Sequence, residues 1–453
     1  MIGYLKRLTI RNLVSPYGLA MIAYLVFLFA WFFPPGLYTQ YVHETDLMFF
    51  DSLTLVFYTA CIAAFLVGVR ASRYLGASTP GDNERHVSVR SPLLYLLLPL
   101  TASAAAGAIY LIKVGAKINF IALLATAQGG VIKAASGAGQ MSEGRWDESI
   151  PLLTVLLWWS LFRAMQLGLK GARKVIFYLI FLLCLAVGIF IGVATVNRAD
   201  LMPIILGTLV VYIYPKTRTA NTKVIRLALM GAVSSVVAVA TFLFLSFLRG
   251  ALGVTLLITS LLGYTIVSYN RLAALLAGVM HYAYEGHGVY LVPAFLSDEK
   301  VNYVFQLADR FGWPSSLALF QTEFLSTSAA GLNPAFIWAG AFGYVYSDLG
   351  WWTPLYWCLI GALAGWLWSK FCASRTVGLV LYPWISFTIL MWCGGNFIFR
   401  TNFIQYCEFV VVLHIYDKLF LRRSSEVDNT KVGPKPVAAF LGPTISGLDR
   451  GIF

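Results

Sequence analysis

Charged residues are scarce in this chain. They make up 12% of its 453 residues, against 59% hydrophobic, and mean hydropathy is +0.75. A soluble domain carries about 25% charged residues, so the scarcity excludes a soluble globular protein and marks an integral membrane protein. Cysteine is sparse as well. The six (Cys61, Cys184, Cys358, Cys372, Cys393, Cys407) fall in or beside apolar runs, and are read as small apolar fillers rather than a disulfide framework or metal ligands. Walker A and HExxH motifs are absent, as are RNP, zinc and helix-turn-helix patterns. There is no DxD-type pair in a soluble nucleotide-binding domain, and no cytoplasmic stretch is large enough to hold a sugar nucleotide. The formal charge of +13 is therefore assigned to cytoplasmic loops and not to nucleic acid, and no cofactor or metal is expected. No sequence repeat appears, which counts against a transporter built from duplicated halves.

What the chain has in quantity is long apolar runs. A hydrocarbon core of about 30 Å needs roughly 20 helical residues. Runs near 17–36, 52–70, 92–112, 151–168, 175–194, 200–215, 227–247, 351–369, 376–395 and 403–420 approach that measure. The first is too long for a signal-peptide core and has no small-x-small cleavage site after it, so it is kept as a span. The expected fold is an all-α polytopic membrane protein of about 10 transmembrane helices. With the N-terminus inside, loops assigned to the cytoplasm hold 23 of the 33 Lys and Arg residues, a positive-inside distribution that puts both termini in the cytoplasm. Residues 1–421 then form one membrane-embedded domain with external loops at 113–150 and 248–350, and 422–453 form a polar, disordered cytoplasmic tail. A rival count makes 251–270 and 332–349 true spans. The acidic lean of 282–330 (Glu285, Asp298, Glu299, Asp309 and Glu323 against Lys300 and Arg310) opposes the cytoplasmic placement that count requires. The large loop is expected to hold interfacial or re-entrant helices. In its apolar stretch 251–280, Ser260, Tyr264, Ser268 and Arg271 are spaced to form one polar stripe on a helix, facing either a ligand or water and headgroups.

Ionisable groups at a membrane are costly and become functional candidates. On the external side lie Arg198, Arg249, Arg271, Arg310 and Arg400, with Arg145 in the smaller loop. Their planar forks suit the oxygens of a diphosphate; the competing reading is headgroup contact or local pairing, such as Arg198 with Asp200. Candidate acids and bases are His281, His287, Glu323, Asp348 and Glu408, each of which also has a structural reading. Asp348 would then cap the span that follows, and Glu408 would pair with an arginine.

The run "GLNPAFIWAGAFGYVYSDLGWWTPLYWCLIGALAGWLW", from Gly331 onward, resembles a signature of the bacterial O-antigen polymerase (Wzy) family: Gly-x-Asn, an aromatic stretch, Asp-Phe-Gly and a glycine-spaced span. Asn333, Asp348 and Gly350 match, and Leu349 stands where the family has Phe. "TVNRAD" and "FLRGALG…LLGYTIVSYNRLAALL" are similar to further family segments, so the resemblance covers roughly 190–400. It implies a metal-independent, GT-C-type glycosyltransferase in the bacterial inner membrane, which moves a glycan from one undecaprenyl diphosphate onto the terminal sugar of another. Membrane lipids and a chain-length regulator protein are the further partners it suggests. By that resemblance Arg198, Arg249 and Arg271 contact the diphosphate, and Asn333 and Asp348 form the site. Arg400 joins the substrate-binding set on its external position alone, with Tyr264 beside it, and His281, Glu323, Asp348 and Glu408 are the catalytic candidates. An O-antigen ligase is the alternative within enzymes. A lipid-linked oligosaccharide flippase is the alternative outside them. The stretch 331–350 is expected to be a membrane-dipping arm that floors the external site, its Phe336, Trp338, Tyr344 and Tyr346 anchoring at the interface or stacking on sugar faces.

Overall fold

The computed structural model describes residues 13–44, 47–74, 87–89, 91–115, 122, 125–126, 128, 149–218, 236, 239–251, 253–292, 306 and 310–423. Most of the smaller expected loop, residues 293–305 and the tail beyond 423 lie outside them, as do Arg145, Asp298, Glu299, Lys300 and Asp309. The helices used below are α1 (Pro16–Trp31), α2 (Pro35–Val42), α3 (Ser52–Ala71), α4 (Pro92–Gly115), α5 (Ser149–Gln166), α6 (Gly171–Ala194) and α7 (Arg198–Arg218). They continue with α8 (Val239–Leu248), α9 (Val254–Gly263), α10 (Ile266–Leu276), α11 (Ser316–Ala329), α12 (Gly340–Leu349), α13 (Thr353–Cys372), α14 (Thr376–Leu390) and α15 (Thr401–Phe420). Apart from these and short 3-10 turns, the described residues hold one two-residue antiparallel pair, Val87–Ser88 with Arg422–Arg423.

Among the described residues, four helices are long and apolar enough to cross a membrane: Ser52–Ala71, Pro92–Lys113, Gly171–Ala194 and Gly340–Cys372, the last joining α12 to α13. A fifth results if α1 and α2, bent by 90° between them, are taken as one span. The expected runs at 200–215 and 376–395 appear as the shorter apolar helices Asp200–Tyr214 and Thr376–Leu390, and those at 151–168 and 403–420 as α5 and α15, which are of 18 and 20 residues but less apolar. α14 has 15 residues, about 22 Å at 1.5 Å per residue, less than a hydrocarbon core of about 30 Å. Along α6, Val175, Ile176, Leu179, Leu182, Leu183 and Phe190 are exposed. An apolar face of that extent requires a non-aqueous surrounding, so the helical architecture is that of a membrane protein.

Two devices hold the helices together without a water-driven core. At the crossing of α3 and α13 the backbones touch. A Cβ on Gly68 would stand 1.9 Å from Cys358 O, and one on Gly361 2.0 Å from Phe65 O. Small residues in Gly361-Ala-Leu-Ala-Gly365 make that approach feasible, as in membrane helix pairs generally. The second device is a buried polar hub. Asp417, near the C-terminal end of α15, accepts from Tyr95 Oη at 2.5 Å, Trp159 Nε1 at 3.3 Å, Thr376 Oγ1 at 2.6 Å and the Arg163 guanidinium at 2.5 Å. One carboxylate thus ties together α4, α5, α14 and α15. Nearby, Pro99 inside α4 has no N–H to offer the carbonyl four residues back. That carbonyl, Tyr95 O, accepts instead from Tyr416 Oη at 3.0 Å.

Two expectations about the segment 248–350 change. The polar stripe is not on one helix, because Thr265 (φ −122°, ψ −84°) breaks the stretch into α9 and α10, and the Phe336 ring packs where a Cβ on Gly263 would stand, 2.1 Å away. Every residue of α10 is buried, so it is an internal helix and not one lying on a surface. The stretch 331–350 is likewise drawn inward: residues 340–345 are buried, α12 packs on α10, and Ala341 N–H donates to Trp392 O at 2.8 Å.

Candidate functional site

The turn between α6 and α7 begins the site. Val196 there has φ +51°, a left-handed conformation that a β-branched side chain adopts only when its surroundings impose it. Its carbonyl accepts from the Arg249 guanidinium at 2.5 Å. Arg198, two residues on, lies with Cζ 4.0 Å from the Phe242 ring centroid and 4.6 Å from that of Tyr264, and donates to Ser246 Oγ at 2.5 Å. Ser246 in turn shares a hydrogen bond with Ser260 Oγ at 3.0 Å. The charges of Arg198 and Arg249 oppose each other, and neither forms an ion pair among the described residues. The Nε of each is buried without a hydrogen-bond partner. Two guanidinium groups set side by side with donors to spare make an anion-binding arrangement. Asp200 instead accepts from Asn197 Nδ2 at 2.6 Å.

An apolar cavity of about 640 Å³ is lined by residues of α5, α6, α7 and α8 that include Val193, Leu201, Thr241 and Phe244, though by neither arginine. Leu201 is one turn from Arg198, and Thr241 adjoins the Phe242 ring on which Arg198 rests.

From Tyr264 an aromatic wall runs to a second cluster. Trp338 stands edge-on to Tyr264 at 4.6 Å and to Phe397 at 6.0 Å, and Arg400 Cζ lies 4.4 Å from the Phe397 ring. Beyond it Glu323, 7% exposed, accepts from Tyr344 Oη at 3.2 Å. Rings of Tyr282, Tyr290 and Tyr344 sit 5.2–5.4 Å apart around it. Desolvation pushes the Glu323 carboxyl up to about 8, against the Tyr344 hydrogen bond and the Arg400 charge, which favour ionisation. A carboxyl titrating close to neutral pH, next to an arginine, is equipped for proton transfer. Arg400 precedes α15, whose other end carries the Asp417 hub, so cluster and hub occupy opposite ends of the helical body.

The structure thus brings together Arg198, Arg249, Tyr264, Glu323 and Arg400 along one wall. The other candidates are engaged elsewhere. Arg271 is completely buried, its fork filled by Glu44, with Nε donating to Phe336 O at 3.0 Å and a terminal nitrogen to Asn333 O at 3.2 Å. Asn333 supports the same knot: its N–H donates to Glu44 at 2.6 Å and its Nδ2 to Val42 O at 3.2 Å. Tyr38 Oη also donates to Glu44, and Asn270 joins Tyr38 to Leu47 O and Phe49 N–H. Asp348 accepts backbone N–H groups of Gly288, Tyr290 and Leu291 at 3.0, 2.7 and 3.2 Å, and so shapes the loop that carries Tyr290. His281 is exposed, between Glu285 at 3.2 Å and Gly278 O at 3.1 Å; His287 and Glu408 are exposed too. Glu44 and Asp417 were missed as centres by sequence reasoning. An acid within a helix rich in apolar residues, as Asp417 is in α15, was a signal available for one of them.

Among the described residues no three His, Cys, Asp or Glu side chains converge as a metal site would require. Compared with known proteins, the chain matches no family model, no curated protein and no solved structure.

Proposed function

We propose that the protein is a membrane-embedded glycosyltransferase that polymerises lipid-diphosphate-linked oligosaccharide repeat units at the outer face of a bacterial cytoplasmic membrane. The observation that carries this reading is the Arg198–Arg249 pair, with its spare Nε donors, at the ends of α7 and α8, two of the helices that line the apolar cavity. A diphosphate on the arginines with its polyprenyl chain in the cavity satisfies both halves of that arrangement. A small soluble phosphate would use only the first. In the reaction the bond between the anomeric carbon and the diphosphate oxygen breaks, and a bond to an acceptor sugar hydroxyl forms. Charge builds on the leaving diphosphate, where fixed guanidinium donors stabilise it more than they stabilise the bound substrate. Glu323, in its ionised form, takes the hydroxyl proton, and Arg400 beside it favours that form.

Arg198→Ala and Arg249→Ala each remove charge-assisted hydrogen bonds of about 1.5–3 kcal/mol, so each variant is expected to lose roughly tenfold to 150-fold in kcat/KM for the lipid-linked donor. Lysine keeps the charge but loses the fork, so Arg→Lys should recover only part of the loss. The check is initial rate in detergent-purified protein that still melts like wild type; unchanged rates in both alanine variants would remove the arginine pair from the site.

A further inference from the structure

The tyrosine cluster contains two polar atoms that the reaction above leaves unused. Tyr290 Oη and Asn396 Oδ1 are buried, and neither has a hydrogen-bond partner among the described residues; the residues are 4% and 5% exposed. Buried hydroxyl and amide oxygens are nearly always paired, because leaving one bare forfeits its hydration without return. Both atoms are held firmly from behind. Tyr290 N–H donates to Asp348 at 2.7 Å, and Tyr290 O accepts from Asn396 Nδ2 at 3.1 Å. Nδ2 also reaches Tyr356 Oη at 3.3 Å. A backbone carbonyl only accepts, so Nδ2 must face it and Oδ1 must point away. One amide therefore locks the loop that presents Oη while presenting a bare acceptor of its own. Next to them, a Cβ on Gly395 would touch the Tyr344 ring at 3.6 Å, and Tyr344 is hydrogen-bonded to Glu323. The two atoms thus belong to the same cluster as the proposed base.

We infer that Tyr290 and Asn396 hold the acceptor sugar, with Asn396 Oδ1 accepting from one ring hydroxyl and Tyr290 Oη bonding to another, so that a third hydroxyl is turned toward Glu323. The inference rests on the polymerase reading and assigns the acceptor a place separate from the arginines that take the donor. It makes these two positioning residues for the acceptor alone.

The test uses the full chain in detergent and two probes: the lipid-linked repeat unit extracted from cells lacking this gene, and the same oligosaccharide released from its lipid by mild acid. The released form has no leaving group and serves only as an acceptor. Saturation-transfer NMR should detect its binding to wild type and to Arg249→Ala, and lose it in Tyr290→Phe and Asn396→Leu. In extension assays Tyr290→Phe should raise the acceptor KM tenfold or more and leave the donor KM unchanged, a split that a merely structural role does not produce. Binding retained by both variants, no binding by wild type, or equal rises in the two KM values would overturn the inference. Polymerisation of the intact lipid-linked unit by wild type is scored separately, and its absence would strike the polymerase reading instead.

Discussion

Replacing Arg271 with alanine removes four hydrogen bonds at once: two to Glu44, one to Phe336 O and one to Asn333 O. Glu44 stays behind at 2% exposure, with only the Asn333 N–H and the Tyr38 hydroxyl to hold its charge. Breaking a buried ion pair from one side costs about 3–5 kcal/mol, or roughly two to four powers of ten in the folded-to-unfolded ratio. The knot joins the turn after α2 to α10 and to the segment entering α12, so the loss should spread beyond the immediate contacts. Thermal unfolding in detergent, followed with membrane abundance, should show Arg271→Ala strongly destabilised and poorly retained. Arg249→Ala, which gives up one hydrogen bond to the Val196 carbonyl from a half-buried side chain, should melt close to wild type. The double variant Arg271→Met/Glu44→Leu should recover part of the loss, since an apolar pair of similar volume removes the stranded charge. It should not recover all of it, because Tyr38 Oη and Asn333 N–H lose their acceptor. Wild-type melting and normal abundance of Arg271→Ala would refute this account of the knot and return Arg271 to the set of ligand-facing arginines.

The α3–α13 crossing should reject even one methyl group: Gly361→Ala sets a Cβ against Phe65 O, and the cost should exceed the usual 1–3 kcal/mol of overpacking because backbone must move; the check is recovery of folded protein by size exclusion. Glu323 predicts a pH signature. Its folded carboxyl, raised by burial to about 8, holds a proton that the unfolded chain releases near its ordinary 4.5, so stability should fall as pH rises between those values and flatten above about 8. Melting temperatures across that range should show the slope in wild type and lose it in Glu323→Gln. If Glu323 is the base, activity should run the other way, climbing as pH rises through about 8, and Glu323→Gln should abolish the climb along with most of the rate.

Helix positions were legible wherever apolar runs were long and uninterrupted, as at α3, α4 and α6, because hydropathy reports transfer from water and needs no tertiary information. It says little about which helices are enclosed by others. α10 and α12 carry the same mixture of apolar and polar residues as a surface helix, and only their neighbours make them internal. The spacing of Ser260, Tyr264, Ser268 and Arg271 was real, yet the break at Thr265 turned its two halves toward different partners. Among the arginines, chain position could not distinguish Arg271, whose carboxylate lies 227 residues away in sequence, from Arg198 and Arg249, which meet none among the described residues. Glu323 and Arg400 were both on the candidate set. Their proximity depends on the fold bringing α11 beside the start of α15, which no local pattern encodes. Tyr290 and Asn396 carried no signal, since an unpaired buried atom exists only once everything around it is placed.

The most direct test of the central claim is reconstitution of the purified chain into liposomes with the lipid-linked repeat unit as the sole substrate and no nucleotide sugar added. The proposal predicts a ladder of glycans longer by whole repeats, made by wild type and lost in the Arg198→Ala/Arg249→Ala double variant that still melts as a folded protein. Folded wild type that leaves the repeat unit unextended, or a double variant that builds the same ladder, would contradict it.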